Sequence, residues 1–539
     1  MSLLTLLFIS GVIFLVAYYT YGTFVEKKLN VEPDRQTPAH EMYDGVDYVP
    51  ARKPVLLGHH FATIAGGGPI VGPVTAVLFG WIPAVLWIIV GSIFVGGVHD
   101  YTALQASIRH KAQSIGTIIK AYIGDRGQVL FLIFSIATLI LIVGVFVILV
   151  AGTFEAVPQA ATASVMFLGV AILFGILVNQ IRMNLFGASI LGIGAMLLSV
   201  WVGLNYPIQL SATVWSLILI GYAYIASVLP VWLLLQPRDY LNSFLLYGMM
   251  AGAALGILIA NPTLEFPGYT GFYHAELGFL FPILFITIAC GAISGFHSLV
   301  SSGTTAKQLD SERNGKFIAY GGMLIEGFLA IIAVGSVAYL TQEQLAMTMS
   351  DMGGAIGAFA AGIGYFMSHW GIDQTTAVSF TSLVASAFLL TSLDSATRLG
   401  RYAVQELTEG RAPVISRNMH MATFVVVLGA AGLALTGTAN TVWPLFGSAN
   451  QMLGAIALLA VTVWLTKLGV KSLFTIIPMV FMFFVTLGAL IVLMSKHFVE
   501  QNWFLMISAF VLFVLCLFLV VEAWRHLFPP KDKDQTIKV

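Results

Sequence analysis

From Val129 to Gly152 the chain carries no charged residue at all. A helix needs about 20 mostly apolar residues to cross the hydrocarbon core of a bilayer, and stretches of this kind recur along the whole sequence. Of 539 residues, 58% are hydrophobic and 9% charged, where soluble domains carry about 25% charged residues. Charge depletion this deep excludes a globular cytosolic enzyme, a nucleic-acid binder and a disordered scaffold. The net charge of zero implies no polyanionic partner. Cys290 and Cys516 both lie in apolar runs, so neither a disulfide framework nor a CxxC metal site is expected. No phosphate-binding P-loop is present, which argues against ATP-driven chemistry by this chain alone. The composition therefore describes an all-α polytopic membrane protein.

Apolar windows fall at roughly 2–22, 55–79, 83–107, 128–152, 160–179, 184–204, 213–235 and 242–262, then 279–303, 317–340, 353–395, 419–437, 445–466, 473–495 and 502–524. No basic residue precedes the first and no small-residue cleavage site follows it, so it reads as an anchor. The stretch 353–395 is long enough for one crossing or two, and the positive-inside rule decides between them. One crossing gives about 15 transmembrane helices, with the N-terminus outside and the C-terminus cytoplasmic. Of the 25 Lys and Arg, only Lys496 then falls outside. Two crossings would instead place ten basic residues between Arg398 and Lys538 outside. On the one-crossing count the whole chain, 1–539, is one integral membrane domain. Its polar stretches are a first cytoplasmic loop at 23–54, a loop from Arg398 to Arg417, and a cytoplasmic tail at 525–539.

Several spans are poorly built as plain helices. The run from Gly58 to Pro73, GHHFATIAGGGPIVGP, places Gly66, Gly67, Gly68 and two prolines near mid-bilayer depth. Such breaks free backbone groups that lipid cannot satisfy, and they are tolerated where protein or water lines a cavity. Transporters use half-helix ends of this kind to hold substrate and ions; close packing of small residues is the competing explanation. A second run, Cys290–Lys307, carries His297 followed by Ser298, Ser301, Ser302, Thr304 and Thr305. A histidine with so many hydroxyls suits a polar pathway, although Ser and Thr also bond to their own helix.

These two runs, with Thr391–Tyr402 (TSLDSATRLGRY) and Phe446–Leu453 (FGSANQML), resemble the carbon starvation protein A family. The resemblance implies a bacterial inner-membrane importer of peptides or of pyruvate, the latter by proton symport. It also implies a fold related to the amino-acid/polyamine/organocation (LeuT-like) transporters, with a five-helix inverted repeat. The sequence does not display that repeat by itself. The match of Gly58-x-His60-x5-Gly66 to Gly295-x-His297-x5-Gly303 places both histidines in the same half of the membrane, not at mirrored depths.

That shared depth is informative. At about 1.5 Å per residue, His60, His99 and His297 lie roughly 7, 12 and 9 Å inside their cytoplasmic helix ends. His59 and Asp100 join them. Such a layer could relay protons or touch substrate, could hold a divalent metal through His59, His60, His99 and His297, or could be separate packing histidines. His60 ranks first as a relay residue, because it abuts the glycine break. Glu326 lies within its span, without a basic neighbour there, and could cycle a proton or simply bond to a neighbouring helix. Asp394, Arg398 and Arg401 recur at helical spacing and suit a cytoplasmic clamp. Asn450 and Gln451 could contact a peptide or carboxylate, or tie helix to helix. His369 and Asp373 share the ambiguous stretch, and Asn179, Gln180 and Arg182 read as an interfacial anchor.

The reading that gathers most of these features is a secondary transporter coupled to protons, with sodium as the alternative coupling ion. No resident cofactor is expected. A membrane-embedded metalloenzyme using the histidine layer and a passive channel are the competing readings.

Overall fold

The structure is a computed structural model that describes residues 1–45, 48–230, 232–436 and 439–527; the side chains of 179, 439–441 and 522–527 are not described. Most of it is helix, and the only sheet among the described residues is a two-stranded hairpin, Tyr273–His274 with Gly278–Phe279. Twelve described helices are long and apolar enough to cross a membrane, and thirteen if a bent pair counts as one span. The chain is thus an all-α polytopic membrane protein. The expected tail from 528 onward lies outside the described residues.

Burial sorts the helices into an inner and an outer group. The most apolar window of Val442–Lys467 is 94% buried, and those of Glu312–Ala338 and Gln374–Thr408 are 83% buried. The corresponding figure for Leu185–Asn205 and Trp503–Val521 is 28%. The outer helices present large apolar side chains such as Phe186, Phe484 and Phe518 outward, as a hydrocarbon solvent requires. Nearly every buried charged residue sits on the inner group or on helices packed directly against it. That placement keeps the polar groups away from lipid, where each would cost several kcal/mol.

The inner helices are interrupted where glycine, proline and hydroxyl residues cluster. Lys53–Ile64 and Gly68–Ala76 meet across Ala65–Gly67 at a bend of 48°. The expected span 279–303 is a chain of short pieces: Leu280–Thr287, Ala289–Ala292 and Gly295–Val300, with extended backbone at Ile293 and Ser294. The two interruptions cross antiparallel. A side chain on Gly68 would strike Cys290, and one on Gly72 would strike the Thr287 carbonyl. Wide π-type turns occur at Ser92–Gly96, Ser301–Thr305 and Lys316–Tyr320, a geometry found often at functional sites.

Three expected boundaries are corrected. The stretch 353–395 forms two helices, Ala355–Ser368 and Gln374–Thr408, divided near Gly371, whose φ of 98° ends the first. The second continues well past 395, because Leu399, Ala403 and Val404 keep its apolar face buried. Residues Arg398 to Thr408 are therefore helix and not loop, and Arg398 and Arg401 are buried. The expected span 242–262 begins earlier, at Leu235, which draws Arg238 into the interior instead of leaving it in a loop. In the first loop, Tyr21–Lys28 is helical.

That loop is held to one face of the protein. Glu312, fully buried, accepts from Arg109 Nε at 2.7 Å, from Arg35 Nη1 at 3.3 Å and from the Glu32 amide at 3.1 Å. Thr37 donates to the Leu309 carbonyl at 2.6 Å, and the Ala51 amide to the Gln308 carbonyl at 2.9 Å.

Candidate functional site

His297 lies in the first turn of Gly295–Val300, just after the Ile293–Ser294 interruption. Its Nδ1 lies 2.8 Å from Asp100 Oδ2, and the other oxygen of Asp100 lies 2.7 Å from His99 Nδ1. One carboxylate thus serves two imidazoles, one on each oxygen. Glu326 faces the far side of the same ring, with its Oε2 3.3 Å from His297 Nε2. That contact is close enough for an ion pair but misaligned for a hydrogen bond, and both Glu326 oxygens are without a hydrogen-bond partner. His99, Asp100, His297 and Glu326 are all at most 1% exposed. Buried polar groups are ordinarily hydrogen-bonded, so an unsatisfied carboxyl beside an imidazole marks a place where a proton has somewhere to go.

His60 comes close to this cluster without joining its hydrogen bonds. Its Nδ1 meets Thr305 Oγ1 at 2.8 Å, and a side chain on Gly322 would sit 3.3 Å from its ring. His59, one position earlier, points elsewhere, as successive helix positions do at 3.6 residues per turn. It meets Asp239 Oδ2 at 3.2 Å and so enters a second network. There Arg238 pairs closely with Asp394 and reaches Asp239 at 3.4 Å. Tyr222 donates to Asp394 at 2.7 Å and accepts from Arg238 at 2.7 Å. Asn242 donates to Thr391 Oγ1 at 2.9 Å.

The expected single layer is therefore two networks: His59 belongs to the second, and His60, its neighbour in sequence, bonds to Thr305 and joins neither. The four histidines do not share one centre, and no group of three His, Cys, Asp or Glu among the described residues is placed to hold a metal. Asp394 does not pair with Arg398, which instead donates to the Ala226 and Leu229 carbonyls at 2.9 and 2.7 Å. The clamp expected of Asp394, Arg398 and Arg401 is replaced by ties from Asp394 and Arg398 to neighbouring helices.

At the crossing of the two interruptions, Asn450 acts as a staple. Its Oδ1 accepts from the Phe296 amide at 2.9 Å, and its Nδ2 donates to Ser294 Oγ at 3.0 Å and Cys290 Sγ at 3.2 Å. It thereby satisfies a free amide at the start of a half-helix, one of the groups a broken helix leaves orphaned. Gln451 reaches Met482 Sδ at 3.3 Å. Gly66, Gly68, Ser294, Ser392 and Asn450 border a cavity of about 10 Å³, room for about one water. Side chains on Gly66, Gly67 and Gly68 would collide with Ser392, Leu389 and Cys290 respectively. The triple glycine is thus both a break and a close helix crossing.

The hydroxyls after His297 divide. Ser298, Ser302 and Thr304 donate to the carbonyls of Gly295, Ser298 and Val300 at 2.7, 2.7 and 3.0 Å, back-bonding within their own helix. Ser301 Oγ is buried without a partner. Sequence reasoning passed over Tyr222, Asp239, Asn242 and Ser392. No local pattern marks Tyr222, Asp239 or Asn242, and Ser392, though inside the Thr391–Tyr402 motif, gains its role only from the glycine run on a distant segment.

Comparison with known proteins follows the same lines. The family model described as carbon starvation protein CstA matches residues 2–352 and 344–489. The chain is 35% identical over 532 residues to the peptide transporter CstA of Escherichia coli K12, covering 85% of this chain and 76% of that protein. It is 32% identical over 595 residues to the pyruvate/proton symporter BtsT of the same organism, covering 92% and 82%. The peptide transporter CstA of Bacillus subtilis is 31% identical over 536 residues, covering 90% and 89%.

Proposed function

This chain belongs to the carbon starvation protein CstA family, and we propose that it is a secondary active transporter importing short peptides or a small pyruvate-like carboxylate by proton symport across a bacterial inner membrane. The observation that carries the reading is the antiparallel crossing of two interrupted helices beside a buried His–Asp–His–Glu cluster. Interrupted helices place free backbone ends at mid-depth for substrate and ions, and intramembrane His and carboxylate chains move protons. The relatives' names supply the substrate classes, peptide in one case and pyruvate with protons in the other.

The reading includes fifteen crossings and a LeuT-like inverted repeat, with the N-terminus outside. Thirteen spans come from length and composition. The 17-residue helix Ala212–Val228 and the interrupted segment from Leu280 to Thr305 supply the other two. Ala355–Ser368 is not counted, because its contacts gather at one face. Its Gly362 abuts the Ser336 carbonyl and its Phe366 carbonyl abuts Gly256, near the loop where Pro262 accepts from the Leu3 amide.

In this mechanism Asp100 holds His297 in place, and His297 passes a proton to or from Glu326 as the interruptions open and close. No resident cofactor takes part. A metalloenzyme at the histidines lacks a convergent ligand set among the described residues, and metal analysis of the purified protein checks this. The deciding experiment is uptake of labelled pyruvate and labelled dialanine into proteoliposomes under an imposed pH gradient. Uphill accumulation that collapses with a protonophore is expected. Equilibration without accumulation would make the protein a passive channel.

A further inference from the structure

Away from the buried cluster, the face that carries the first loop opens into a cavity of about 240 Å³. It reaches the surface at Gln113, which is exposed, and runs inward between Asp125–Ala156, Gln374–Thr408 and the segment that follows His297. Its walls combine apolar side chains, among them Phe131, Leu132, Leu139, Leu299 and Leu399, with the hydroxyls of Ser114, Thr117, Ser135 and Ser302. Two charged residues line it, and they are opposite in sign. Lys307 pairs with no carboxylate among the described residues; its Nζ lies over the rings of Tyr48 and Tyr402, at 5.3 and 5.9 Å from their centroids. Glu406 is fixed by Gln128 Nε2 at 2.9 Å and by Ser114 Oγ at 3.3 Å, which leaves acceptor capacity on a carboxylate that can take about four hydrogen bonds.

Both charges stand beside the same stretch of Gln374–Thr408, Lys307 over Tyr402 and Glu406 on the helix itself. Tyr402, under Lys307, and Glu406 are four residues apart on Gln374–Thr408 and so lie on one face, separated by about one turn, roughly 5.4 Å. Two residues of extended chain reach about 7 Å. Pyruvate has no cationic end to offer Glu406. A dipeptide has a carboxylate for Lys307, an ammonium for Glu406, and side chains for the apolar wall.

Resting on the transport reading above, we propose that this cavity is a binding site for zwitterionic short peptides, with Lys307 taking the C-terminal carboxylate and Glu406 the N-terminal ammonium. Its inner end supports a place on the substrate's route. Leu139 and Leu299 line the cavity, and Ile142 and Phe296, about one turn further in, border the small cavity at the glycine break. The site is thus a vestibule whose inner end lies about one helical turn from the small cavity at the interrupted helices.

The test is equilibrium binding of labelled dialanine to the full chain in nanodiscs, where no transport is required. Unlabelled dialanine should compete at least about tenfold better than N-acetyl-dialanine or dialanine amide, each of which lacks one charge-assisted hydrogen bond. Glu406→Gln should abolish the discrimination against N-acetyl-dialanine, and Lys307→Gln the discrimination against the amide. Both variants keep hydrogen-bonding side chains of similar length. Absence of dialanine binding to the wild-type chain overturns the inference, as does equal competition by all three compounds. Dialanine binding that neither variant alters moves the site elsewhere and overturns it as well. None of these outcomes bears on uphill uptake of pyruvate, so the transport reading stands or falls separately.

Discussion

Among the described residues, His297 alone has a carboxylate facing each ring nitrogen, Asp100 at Nδ1 and Glu326 at Nε2. Glutamine keeps hydrogen-bonding capacity and similar bulk but cannot exchange a proton near neutrality. His297→Gln should therefore lose accumulation of substrate under a pH gradient while retaining substrate-for-substrate exchange, which needs no net proton movement. His60→Gln should keep most of its accumulation, because the His60 ring bonds to a threonine hydroxyl and lies outside the carboxylate chain. Side-by-side uptake and exchange assays separate the two, and a coupling defect in His60→Gln alone would reverse the assignment. The sequence ranked these histidines the other way, from proximity to the glycines; only geometry shows which imidazole is linked to which carboxylate. The glycines themselves were legible, since no other residue type tolerates such density at mid-depth. Their packing role was not, because it needs Cys290 as a neighbour. Gly68→Ala places a methyl group against Cys290 and should cost about 1–3 kcal/mol by overpacking, with partial recovery on adding Cys290→Gly. A lowered melting temperature of the detergent-purified protein would register it; an unchanged one would mean the crossing is not tightly packed.

Two consecutive helices and a third far along the chain are tied by one buried ion pair. Arg238 on Leu235–Ala260 meets Asp394 on Gln374–Thr408, and Tyr222 on Ala212–Val228 bonds to both. A buried pair contributes little relative to an apolar substitute, but removing one partner strands the other charge and costs about 3–5 kcal/mol. Asp394→Leu and Arg238→Leu should each destabilise by that amount. The double variant should lose less than the two singles combined, because neither charge is then stranded. Denaturant or thermal unfolding of the four proteins completes the cycle, and additive losses would show that the pair is not coupled. The same pair shows where reading helices from sequence stops. A hydropathy window records the cost of an arginine but not its partner on a distant helix, so Arg238 was assigned to a loop and Asp394 to a clamp with its own neighbours. The extension of Gln374–Thr408 past 395 was missed for the same reason. Arg398 and Arg401 look like loop charges until the carbonyls and rings that receive them are in place. Elements without buried charge, such as Asp125–Ala156, were placed within a few residues from composition alone.

At the scale of the whole molecule, one question links the charge distribution to the direction of transport: which face opens to the cytoplasm. The cavity of Lys307 and Glu406 shares a face with the first loop, through Tyr48 and the Glu312 contacts. Glu406 also bonds to Ser114, so the end of Gln374–Thr408 lies on that face too. The hairpin Tyr273–Phe279 lies toward the opposite face, beside the loop that receives the N-terminus. Basic residues crowd the first face, and the positive-inside rule predicts that this face is the cytoplasmic one. Cys290 and Cys516 are both buried, so single cysteines introduced at exposed positions can be labelled against a quiet background. Tyr273→Cys should react with a membrane-impermeant maleimide in intact cells. Gln113→Cys and Glu409→Cys should react only after permeabilisation. Labelling of Gln113→Cys in intact cells would invert the orientation, and the peptide vestibule would then be an entrance instead of an exit. Labelling of Glu409→Cys together with Tyr273→Cys would mean that 353–408 crosses an even number of times, which the contact between Glu406 and Ser114 forbids in this fold. The expected pattern leaves an importer whose vestibule faces the cytoplasm, the side on which a substrate released from the interrupted helices must leave.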